Sequence, residues 1–463
     1  MRPLLIKELQ KLLGAECLSG PTTFYVRHAI YYKTHDLTKR NTLVFISKGD
    51  EIDWQELNAK GPIAIISDKQ EEELQGALSS TTVLKVKNVM LAFWQFVKYY
   101  RELFEIPVVA LTGTCGKTTT KEMIRHILIQ DWPIQTTISS INEPRQSLPY
   151  LTGIESNTRA AIFELGLGNS GNISHQCMVY QPTIGIITNI GVHHLDGCKS
   201  LDGYIKAKSE IVEGIREGGT LIINADDENS KKVPLHKLKG KLIKFGINDG
   251  VDFKASNIQY AHNGMTFTIH NKNARYKVYV PGYGEHQVYN ALAAIAAVNE
   301  MGISIPKAIA RLKTYENMER HLQFFDGIGG CTLIDDTWTN NPTSIEAALK
   351  VLSAVSKEKK QIVILGDIKR LGKYEQKYHR EIGSLVAKQK IAMLITIGTK
   401  AEEIGKQALR EGIKAEVHMF KDVHGVMEIL KPKLDKQSIV LIKGPMSSKS
   451  MIEFARQLKE GNK

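Results

Sequence analysis

The sequence has few of the features that mark exported, membrane or metal-cluster proteins. It contains no run of 18 or more apolar residues, which a membrane-spanning helix would require. Charged residues within the first eight positions interrupt the apolar core that a signal peptide needs. The five cysteines are odd in number, widely spread and without a C-x-x-C pair, a pattern that favours neither a disulfide framework nor a zinc site. We therefore expect a cytoplasmic protein that does not span a membrane.

Aromatic residues are also scarce, at 7% of the chain, and the charge is not concentrated in one place. Lys and Arg number 61 and Asp and Glu 49, which leaves a formal net charge of +12. This excess favours anionic partners such as nucleotides and phosphates. A nucleic-acid-binding protein would instead show a clustered basic stripe with interleaved aromatics, and the lysines here are scattered. We expect small-molecule partners and no nucleic acid.

The chain does have the length and the pattern of three α/β domains. Its 463 residues suggest about three domains, and 42% hydrophobic with 24% charged residues is ordinary for globular proteins. Buried-strand runs alternate with helical stretches from residue 108 onward and again after residue 318, which predicts two mostly parallel sheets. Residues 242–280 are more typical of antiparallel strands. The predicted domains are residues 1–106, 107–317 and 318–463, and we expect a monomer.

The strongest motif is the segment 112–120, TGTCGKTTT, between a predicted strand at 108–111 and a predicted helix at 121–130. Glycines let backbone amides turn toward phosphate oxygens, and the helix N-terminus adds partial positive charge. In such a loop Lys117 would reach the β- and γ-phosphates, and the Thr118 hydroxyl would bind Mg²⁺. A turn with a merely structural role is the alternative. The predicted nucleotide-binding residues of the loop are Gly113, Thr114, Cys115, Gly116, Lys117, Thr118 and Thr119.

The loop is shorter than the common phosphate-binding loop, because two residues rather than four separate its glycines. This short form, G-x-x-G-K-T-T, resembles that of the Mur ligases, the ATP-dependent amide-forming enzymes of peptidoglycan precursor synthesis. The resemblance covers most of the chain between residues 107 and 450. Within the family the chain is most similar to the D-alanyl-D-alanine-adding type, through the segments 335–344 (DDTWTNNPTS), 365–367 (LGD) and 371–372 (LG) and through His379.

The resemblance implies both a fold and a reaction. It implies a small N-terminal α/β domain that binds substrate, a central ATP-binding domain with a P-loop-type parallel sheet, and a C-terminal Rossmann-like ligase domain. It also implies an enzyme that joins a small-molecule carboxylate to an amine or amino acid through an acyl phosphate and forms ADP. The expected cofactors are ATP and Mg²⁺.

Three further positions are ambiguous from the residues alone. Glu164, at the end of a predicted strand, either holds Mg²⁺ or is an idle, solvated carboxylate. Two adjacent histidines in an extended segment cannot both face one site, and Lys208 is read as a surface lysine. The resemblance implies that Thr118, Glu164 and His194, rather than His193, hold magnesium. It implies also that Lys208 carries a carbamate formed from CO₂, so that two Mg²⁺ ions bind near the transferring phosphate.

The resemblance extends the candidate site to other parts of the chain. It assigns catalytic roles to Lys117, His194 and Lys208 and places Asn290 at the adenine. Asn189 matches a loop asparagine that supports the substrate or phosphate site. The other matched positions are Arg320, which would touch the ATP phosphates from the domain junction, Asp336, which would contact the ribose or phosphate region with Asp335 as the alternative, and His286 and Asn341.

The chain departs from the family on both substrate sides. The Asp-Ser-Arg segment that helps hold the uridine nucleotide is missing from the region 31–38, which reads YYKTHDLT. Arg370 stands where a glutamate is usual, and segment 443–448 reads KGPMSS where Lys-Gly-Ser-Arg is more usual. An arginine at that place would repel an incoming ammonium and attract a carboxylate. These departures predict a ligase with a non-standard acid or amine substrate.

Other functions stay open at this point. The chain is alternatively a genuine UDP-N-acetylmuramoyl-tripeptide–D-alanyl-D-alanine ligase that binds the same substrates through other residues. A P-loop small-molecule kinase would need no amine, and the short loop, His194 and Lys208 argue against it. A nucleic-acid-binding NTPase and an inactive relative are further alternatives, although every nucleotide-site residue named above is present.

Overall fold

The computed structural model describes residues 1–32, 37 and 39–460. Within these residues the strands form four sheets, of two, five, nine and six strands. The two- and five-stranded sheets come first in the chain, the nine-stranded sheet follows, and the six-stranded sheet comes last. We call the corresponding parts the N-terminal, central and C-terminal regions. The predicted α/β fold class is confirmed, because helices alternate with mostly parallel strands.

In the N-terminal region, strands β4 to β7 are parallel and β2 adds to β7 in the antiparallel direction. The apolar runs at 42–46 and 62–66 predict strands and the segment 91–104 predicts a helix, and all three are present with small shifts in their ends. The short amphipathic helix predicted at residues 1–8 is displaced: it begins at Ile6 and ends at Leu13, because Leu4–Leu5 pair with β3 as a strand. The elements are β1 (Leu4–Leu5), α1 (Ile6–Leu13), β2 (Glu16–Ser19), β3 (Tyr25–Val26), β4 (His28–Tyr31), β5 (Thr42–Ile46), α2 (Trp54–Ala59), β6 (Ile63–Ser67), α3 (Glu71–Leu74), β7 (Thr82–Lys85) and α4 (Val89–Glu102).

In the central region the strand order is β16-β15-β14-β13-β12-β11-β8-β10-β9. All neighbouring pairs from β9 to β14 are parallel, and β14 to β16 form an antiparallel meander. The elements are β8 (Val108–Thr112), α5 (Lys117–Leu128), β9 (Ile134–Thr136), α6 (Ser147–Thr152), β10 (Ala160–Glu164), α7 (Asn172–Tyr180), β11 (Ile184–Ile187), α8 (Leu195–Cys198), α9 (Leu201–Gly214), β12 (Thr220–Asn224), β13 (Lys241–Gly246), β14 (Phe253–Ala261), β15 (Gly264–Asn271), β16 (Ala274–Pro281), α10 (Glu285–Glu300) and α11 (Ile305–Leu312).

The prediction that residues 242–280 form antiparallel strands is wrong for the first of these strands, β13. Strand β13 pairs in the parallel direction with both β12 and β14. Residues 225–240 make a connection long enough to return the chain to the starting edge of the sheet, as a parallel crossover requires. Ile243 and Phe245 of β13 are buried in the same hydrophobic cluster as β8 and β10, so the parallel sheet simply continues through this strand.

In the C-terminal region the strand order is β17-β18-β22-β19-β20-β21. The apolar runs at 331–334, 361–365, 393–397 and 439–442 predict four parallel strands, which are β18, β19, β20 and β22 of the structure. The edge strands β17, which is antiparallel, and β21 were not predicted. The elements are β17 (Gln323–Asp326), β18 (Thr332–Asp336), α12 (Pro342–Val355), β19 (Lys360–Gly366), α13 (Glu375–Ala387), β20 (Met393–Ile397), α14 (Glu402–Arg410), β21 (Glu416–Phe420), α15 (Val426–Leu430), β22 (Ser438–Lys443) and α16 (Lys449–Glu460).

The fold brings several predicted site residues to one edge of the central sheet. Strands β10, β8 and β11 are adjacent and parallel, so their carboxyl ends meet at the same edge, where α/β sheets bind ligands. The motif segments that contain Lys117, Glu164 and His194 follow these three strands. In the described part of the chain, no helix is both long and apolar enough to cross a membrane.

Candidate active site

The phosphate loop between β8 and α5 is anchored by the residues that follow β11. The Cys115 backbone N–H donates to Asn189 Oδ1 at 3.1 Å, and Asn189 Nδ2 donates to the Cys115 carbonyl at 3.0 Å. Thr188 Oγ1 donates to the same carbonyl at 2.7 Å. Both polar atoms of the Asn189 side chain therefore engage the loop backbone, and the shape of the loop depends on the neighbouring strand.

Gly116 lets the loop turn into α5 directly beside α10. Its φ is +80°, in the left-handed region that favours glycine. A Cβ at this position would lie 2.2 Å from Asn290 Oδ1, so the two elements approach more closely than any other residue type permits. Asn290 is buried and also contacts Thr120 of the helix at 3.4 Å. The predicted adenine residue thus lies against the start of α5.

Replacing Gly116 with alanine should weaken nucleotide binding, because the new methyl group collides with Asn290 Oδ1. Strain of about 1.4 kcal/mol or more in the loop corresponds to a tenfold or greater loss of ADP affinity. The measurement is calorimetric titration of ADP. Gly171→Ala is the matched control, since Gly171 also has a positive φ of +89° but its Cβ would meet no atom within 4 Å. Equal ADP affinity in the two variants would contradict the prediction.

Glu164 is the last residue of β10 and lies inside the protein. It is 2% exposed and accepts hydrogen bonds from Thr118 Oγ1 and Asn142 Nδ2, both at 2.7 Å. Lys117 Nζ lies 3.8 Å from Glu164 Oε1, the oxygen that accepts from Asn142. The reading of Glu164 as an idle, solvated carboxylate is therefore wrong, because β10 is an interior strand between β8 and β9. Thr118 and Glu164 place two oxygen donors of the kind that Mg²⁺ prefers next to the phosphate loop.

Lys208 lies on α9 and is only 2% exposed, so the reading of it as a surface lysine is wrong. Its Nζ donates to Thr112 Oγ1 at 3.0 Å and lies 5.3 Å from the centre of the Tyr204 ring. Burial, reinforced by the nearby charge of Lys117, lowers the pKa of Lys208 well below its ordinary value. A lowered pKa increases the fraction of the amine that is unprotonated, and only the unprotonated amine is nucleophilic.

The two histidines lie together rather than on opposite sides of the chain. His194 has a φ of +51°, in the left-handed region, and caps the short helix α8. The segment is therefore not extended, and the ring centres of His193 and His194 are only 4.1 Å apart. The premise of an extended segment is therefore wrong, and the argument that the two rings must point to different sides does not apply here. Lys117 and Lys208 are close enough to both histidines for their charges to lower the pKa of each ring.

His194 combines an unpartnered ring nitrogen with a lowered pKa. Its Nδ1 is buried and has no hydrogen-bond partner among the described residues. Burial, followed by the charges of Lys208 and Lys117, lowers the pKa of His194 to about 3, so the ring is neutral at physiological pH. In a neutral imidazole one of the two ring nitrogens carries a proton and the other carries a free lone pair, which can bind a metal ion.

The described residues contain no group of three or more His, Cys, Asp or Glu side chains arranged to hold a metal ion. Of the predicted magnesium ligands, Glu164 and His194 are of these types, and Thr118 adds a hydroxyl. The remaining candidate, Lys208, is an amine in its unmodified form. A complete ion shell would therefore need a further oxygen ligand, from the nucleotide or from a modified side chain.

A cavity of about 1030 Å³ lies between the central and C-terminal regions. The central region lines it with the phosphate loop, Tyr283 and Asn290, and the C-terminal region with Asp336 and Lys443. Its volume is that of a pocket for a nucleotide-sized ligand. His286 also lines it, and burial lowers the pKa of His286 to about 4, so this ring is neutral too.

Of the candidate residues in the C-terminal region, some line this cavity and others do not. Asp336 lines it and is ion-paired with the fully buried Lys443, whereas Asp335 points away and pairs with Lys459 at 2.6 Å. The Arg320 guanidinium lies 4.6 Å from the centre of the Trp338 ring, at the junction of the two regions. Asn341 caps α12 and lies 3.5 Å from Cys115 Sγ. Arg320 is thus near the cavity without lining it.

Some residues of the site were missed by sequence reasoning. Asn142 lies in a loop without a recognisable motif, and only the fold brings it to Glu164. Tyr204 donates or accepts a hydrogen bond with Thr114 Oγ1 at 3.1 Å, and its spacing of four residues from Lys208 on α9 was a usable signal. Lys443 belongs to the segment 443–448 that sequence analysis singled out. Its ion pair with Asp336 could not be deduced from the sequence, because the two residues are far apart along the chain.

The fold and the site together define a nucleotide-binding α/β enzyme with a short phosphate loop. A family model described as the Mur ligase middle domain matches residues 111–298, and one described as the Mur ligase, glutamate ligase domain matches residues 320–446. The UDP-N-acetylmuramoyl-tripeptide–D-alanyl-D-alanine ligase of Buchnera aphidicola subsp. Baizongia pistaciae is 31% identical over 382 residues, which cover 82% of this chain and 81% of that protein. The chain belongs to the Mur ligase family and is an ATP-dependent, amide-bond-forming ligase.

Solved structures agree with this assignment over the whole length of the chain. A crystal structure of MurF from Acinetobacter baumannii has a TM-score of 0.83 and 25% sequence identity, and the match covers 99% of this chain and 100% of that one. The structure of MurF ligase from Thermotoga maritima in complex with ADP shares the fold, with a TM-score of 0.77 at 19% identity, and covers 93% of this chain and 98% of that one. The predicted resemblance to the family is confirmed.

Proposed function

We propose that this ligase joins a small-molecule carboxylate to an amine through an acyl phosphate. The observation that carries the proposal is the meeting of Lys117, Thr118 and Glu164 at the phosphate loop, with the buried Lys208 beside them. A cation, a hydroxyl and a carboxylate in this arrangement suit the handling of a γ-phosphate and its metal.

The reaction has two steps. A carboxylate is a poor acyl donor, so one of its oxygens first attacks the γ-phosphorus of ATP, and ADP leaves. The amine then attacks the acyl carbon, inorganic phosphate leaves, and the amine loses a proton to give the amide. Lys117 and the amides of loop residues 113–119 stabilise the negative charge of the transferring phosphoryl group. Closure of the C-terminal region over the site would protect the acyl phosphate from water.

Thr118, Glu164, His194 and Lys208 are the residues that would hold two magnesium ions. The unpartnered Nδ1 of His194 and the paired oxygens of Thr118 and Glu164 fit this role. Bound Mg²⁺ neutralises charge on the phosphates and polarises them for attack. We keep His194 rather than His193 as the ligand.

A carbamate on Lys208 would supply the oxygen ligand that the described residues lack. The amine is buried beside a second lysine, and its hydrogen-bond partner is the Thr112 hydroxyl rather than a carboxylate. The unprotonated amine attacks the carbon of CO₂ and loses a proton, and the resulting carbamate is an anion that attracts Lys117 and adds carboxylate-like oxygens. Burial supports the proposal because it shields the carbamate from water.

The nucleotide would bind in the cavity between the central and C-terminal regions. Its position next to the phosphate loop supports the proposed contacts of Asn290 with adenine and of Asp336 with the ribose or phosphates. Arg320, at the junction, would reach the phosphates only after leaving Trp338. The division into domains at residues 1–106, 107–317 and 318–463 is supported by the sheets, since each sheet's strands fall within one of these ranges.

The proposed reaction predicts that ADP release depends on both an acid and an amine. Purified protein with ATP and Mg²⁺ should be screened against paired panels of carboxylates and amines, with ADP release and amide formation measured together. A small-molecule kinase would release ADP with one acceptor alone and yield a stable phosphorylated product. That outcome would contradict the proposal.

We propose further that the substrate pair is not the standard one. In the segment 443–448, the exposed Met446 stands where an arginine is usual, so an uncharged side chain replaces a cation at this place. The argument from Arg370 is weaker than the sequence suggested, since this side chain pairs with Asp196 at 3.3 Å. The region 31–38, in which the Asp-Ser-Arg segment is expected and not found, includes residues 33–36 and 38, which lie outside the described residues.

The standard pair is the second candidate, because relatives named UDP-N-acetylmuramoyl-tripeptide–D-alanyl-D-alanine ligase match four fifths of the chain. We expect turnover with UDP-linked muramyl tripeptide and D-alanyl-D-alanine to stay below about 1 s⁻¹, under the usual range for enzymes on their own substrates. A coupled assay of ADP release under saturating ATP and Mg²⁺ measures it. Turnover at or above that rate would show that the chain uses the standard substrates and that the departures are sequence drift.

A further inference from the structure

The segment 191–196, which contains both histidines, is held at its two ends by the C-terminal region although it belongs to the central region. We call it the histidine segment. At its first end, Gly191 lies against Thr343 at the start of α12, so closely that a Cβ on Gly191 would be 1.9 Å from Thr343 Oγ1. The absence of a side chain at Gly191 is what allows this approach.

At its second end, the histidine segment contacts the loop that follows β19. The Leu195 backbone N–H donates to the Arg370 carbonyl at 2.8 Å. Arg370 Nη1 lies 3.3 Å from Asp196 Oδ2. Gly372 packs on the backbone of Asp196, since a Cβ on Gly372 would lie 3.1 Å from Asp196 Cα. Three kinds of contact therefore join two short pieces of chain.

The backbone on both sides of this contact has an unusual conformation. Arg370 has a φ of +66° and His194 a φ of +51°, both in the left-handed region that costs non-glycine residues free energy. Such conformations persist where surrounding contacts hold them. The Leu195–Arg370 hydrogen bond joins the residue after His194 to Arg370 itself, so it ties the two strained positions together.

We infer that Arg370 and Gly372 are positioning residues that hold His194 in the orientation in which its unpartnered Nδ1 is available to a metal ion. They act through Leu195 and Asp196 and do not touch the reacting groups. The inference rests on the proposed role of His194 as a ligand. Under this inference Arg370 acts on Asp196 within the protein and does not contact the substrate.

The test uses charge reversal and its rescue in the full-length protein. Arg370→Glu places two carboxylates together, and the double variant Arg370→Glu with Asp196→Arg restores an ion pair with the charges exchanged. Arg380→Glu is the control, because Arg380 is also a partly exposed arginine in an ion pair, with Glu403 at 3.0 Å, and this pair lies wholly within the C-terminal region. Two quantities are measured: the hydrogen-exchange rate of the Leu195 amide, and the affinity for Mn²⁺ in the presence of ADP, followed by electron paramagnetic resonance.

We expect Arg370→Glu to raise the Leu195 exchange rate and to weaken Mn²⁺ binding, each about tenfold, because the ion pair is replaced by repulsion between two carboxylates, which loosens the backbone hydrogen bond from Leu195 to residue 370. The double variant should recover most of both effects, and Arg380→Glu should show neither. Unchanged exchange in Arg370→Glu, or faster exchange without weaker Mn²⁺ binding, would overturn the inference and leave the proposed function standing. Wild-type protein that binds no Mn²⁺ with ADP would instead contradict the metal site of the proposed function, and the inference with it.

Discussion

Replacing Lys117 with alanine is expected to lower ATP turnover by about 10²-fold or more, the usual effect of removing one group that stabilises transition-state charge. The Lys117 ammonium lies 3.8 Å from Glu164 at the phosphate loop, where the γ-phosphate and its metal would be held. The change also leaves Glu164 with one fewer positive neighbour, so nucleotide binding should weaken as well. The measurement is ADP release with a complete set of substrates.

The control for this variant is Lys98→Ala. Lys98 is an exposed lysine of α4 with one ion-pair partner, Glu102, and it lies outside the cavity. Its loss should leave ADP release at the wild-type rate. Circular dichroism and thermal unfolding of both variants establish that the fold is intact. ADP release by Lys117→Ala at the wild-type rate would contradict the assignment of the loop to phosphate transfer.

Lys208→Ala should abolish most activity, because the proposed carbamate is lost together with its metal ligand. The expected loss is about 10²-fold or more, of the size seen when a group that stabilises developing charge is removed. A short carboxylic acid in excess, such as acetate, should restore part of the activity by entering the space left by the side chain. Lys206→Ala is the matched control, since Lys206 is on the same helix and is exposed.

The carbamate itself can be observed without an activity assay. Protein equilibrated with ¹³C-bicarbonate should show a carbamate carbonyl resonance that Lys208→Ala lacks and Lys206→Ala retains. Full activity of Lys208→Ala after removal of CO₂ would contradict the proposal. Loss of activity without a carbamate signal in the wild type would leave Lys208 essential but unmodified, and this would contradict the proposed ligand.

The sequence was most informative where function depends on a short, contiguous motif. The segment 112–120 predicted a strand, a phosphate loop and a helix in the right order, because glycine conformations and a lysine at a helix N-terminus are local properties. The buried strands were predictable for a similar reason. A short run of apolar residues between polar stretches is typical of a buried strand. Most of the parallel strands were located to within one or two residues.

Prediction failed where the outcome depends on neighbours that are distant in the sequence. Nothing in the residues around Lys208 distinguishes it from Lys206, and only the packing of α9 against β8 makes one buried and the other exposed. The two histidines were misjudged because the left-handed backbone at His194 is held by contacts with the loop after β19, whose carbonyl at Arg370 accepts from Leu195.

The sequence by itself therefore determined the α/β class, the phosphate loop and the membership of the Mur ligase family, which are written in local patterns and motifs. The tertiary structure alone decided which lysine is buried, that the Glu164 carboxylate is buried beside Thr118, and that Asp336 is paired with Lys443. The physical reason is that burial and ion pairing depend on free energies of desolvation, which are set by everything that surrounds a group in space. A neighbour along the chain contributes only a small part of those surroundings.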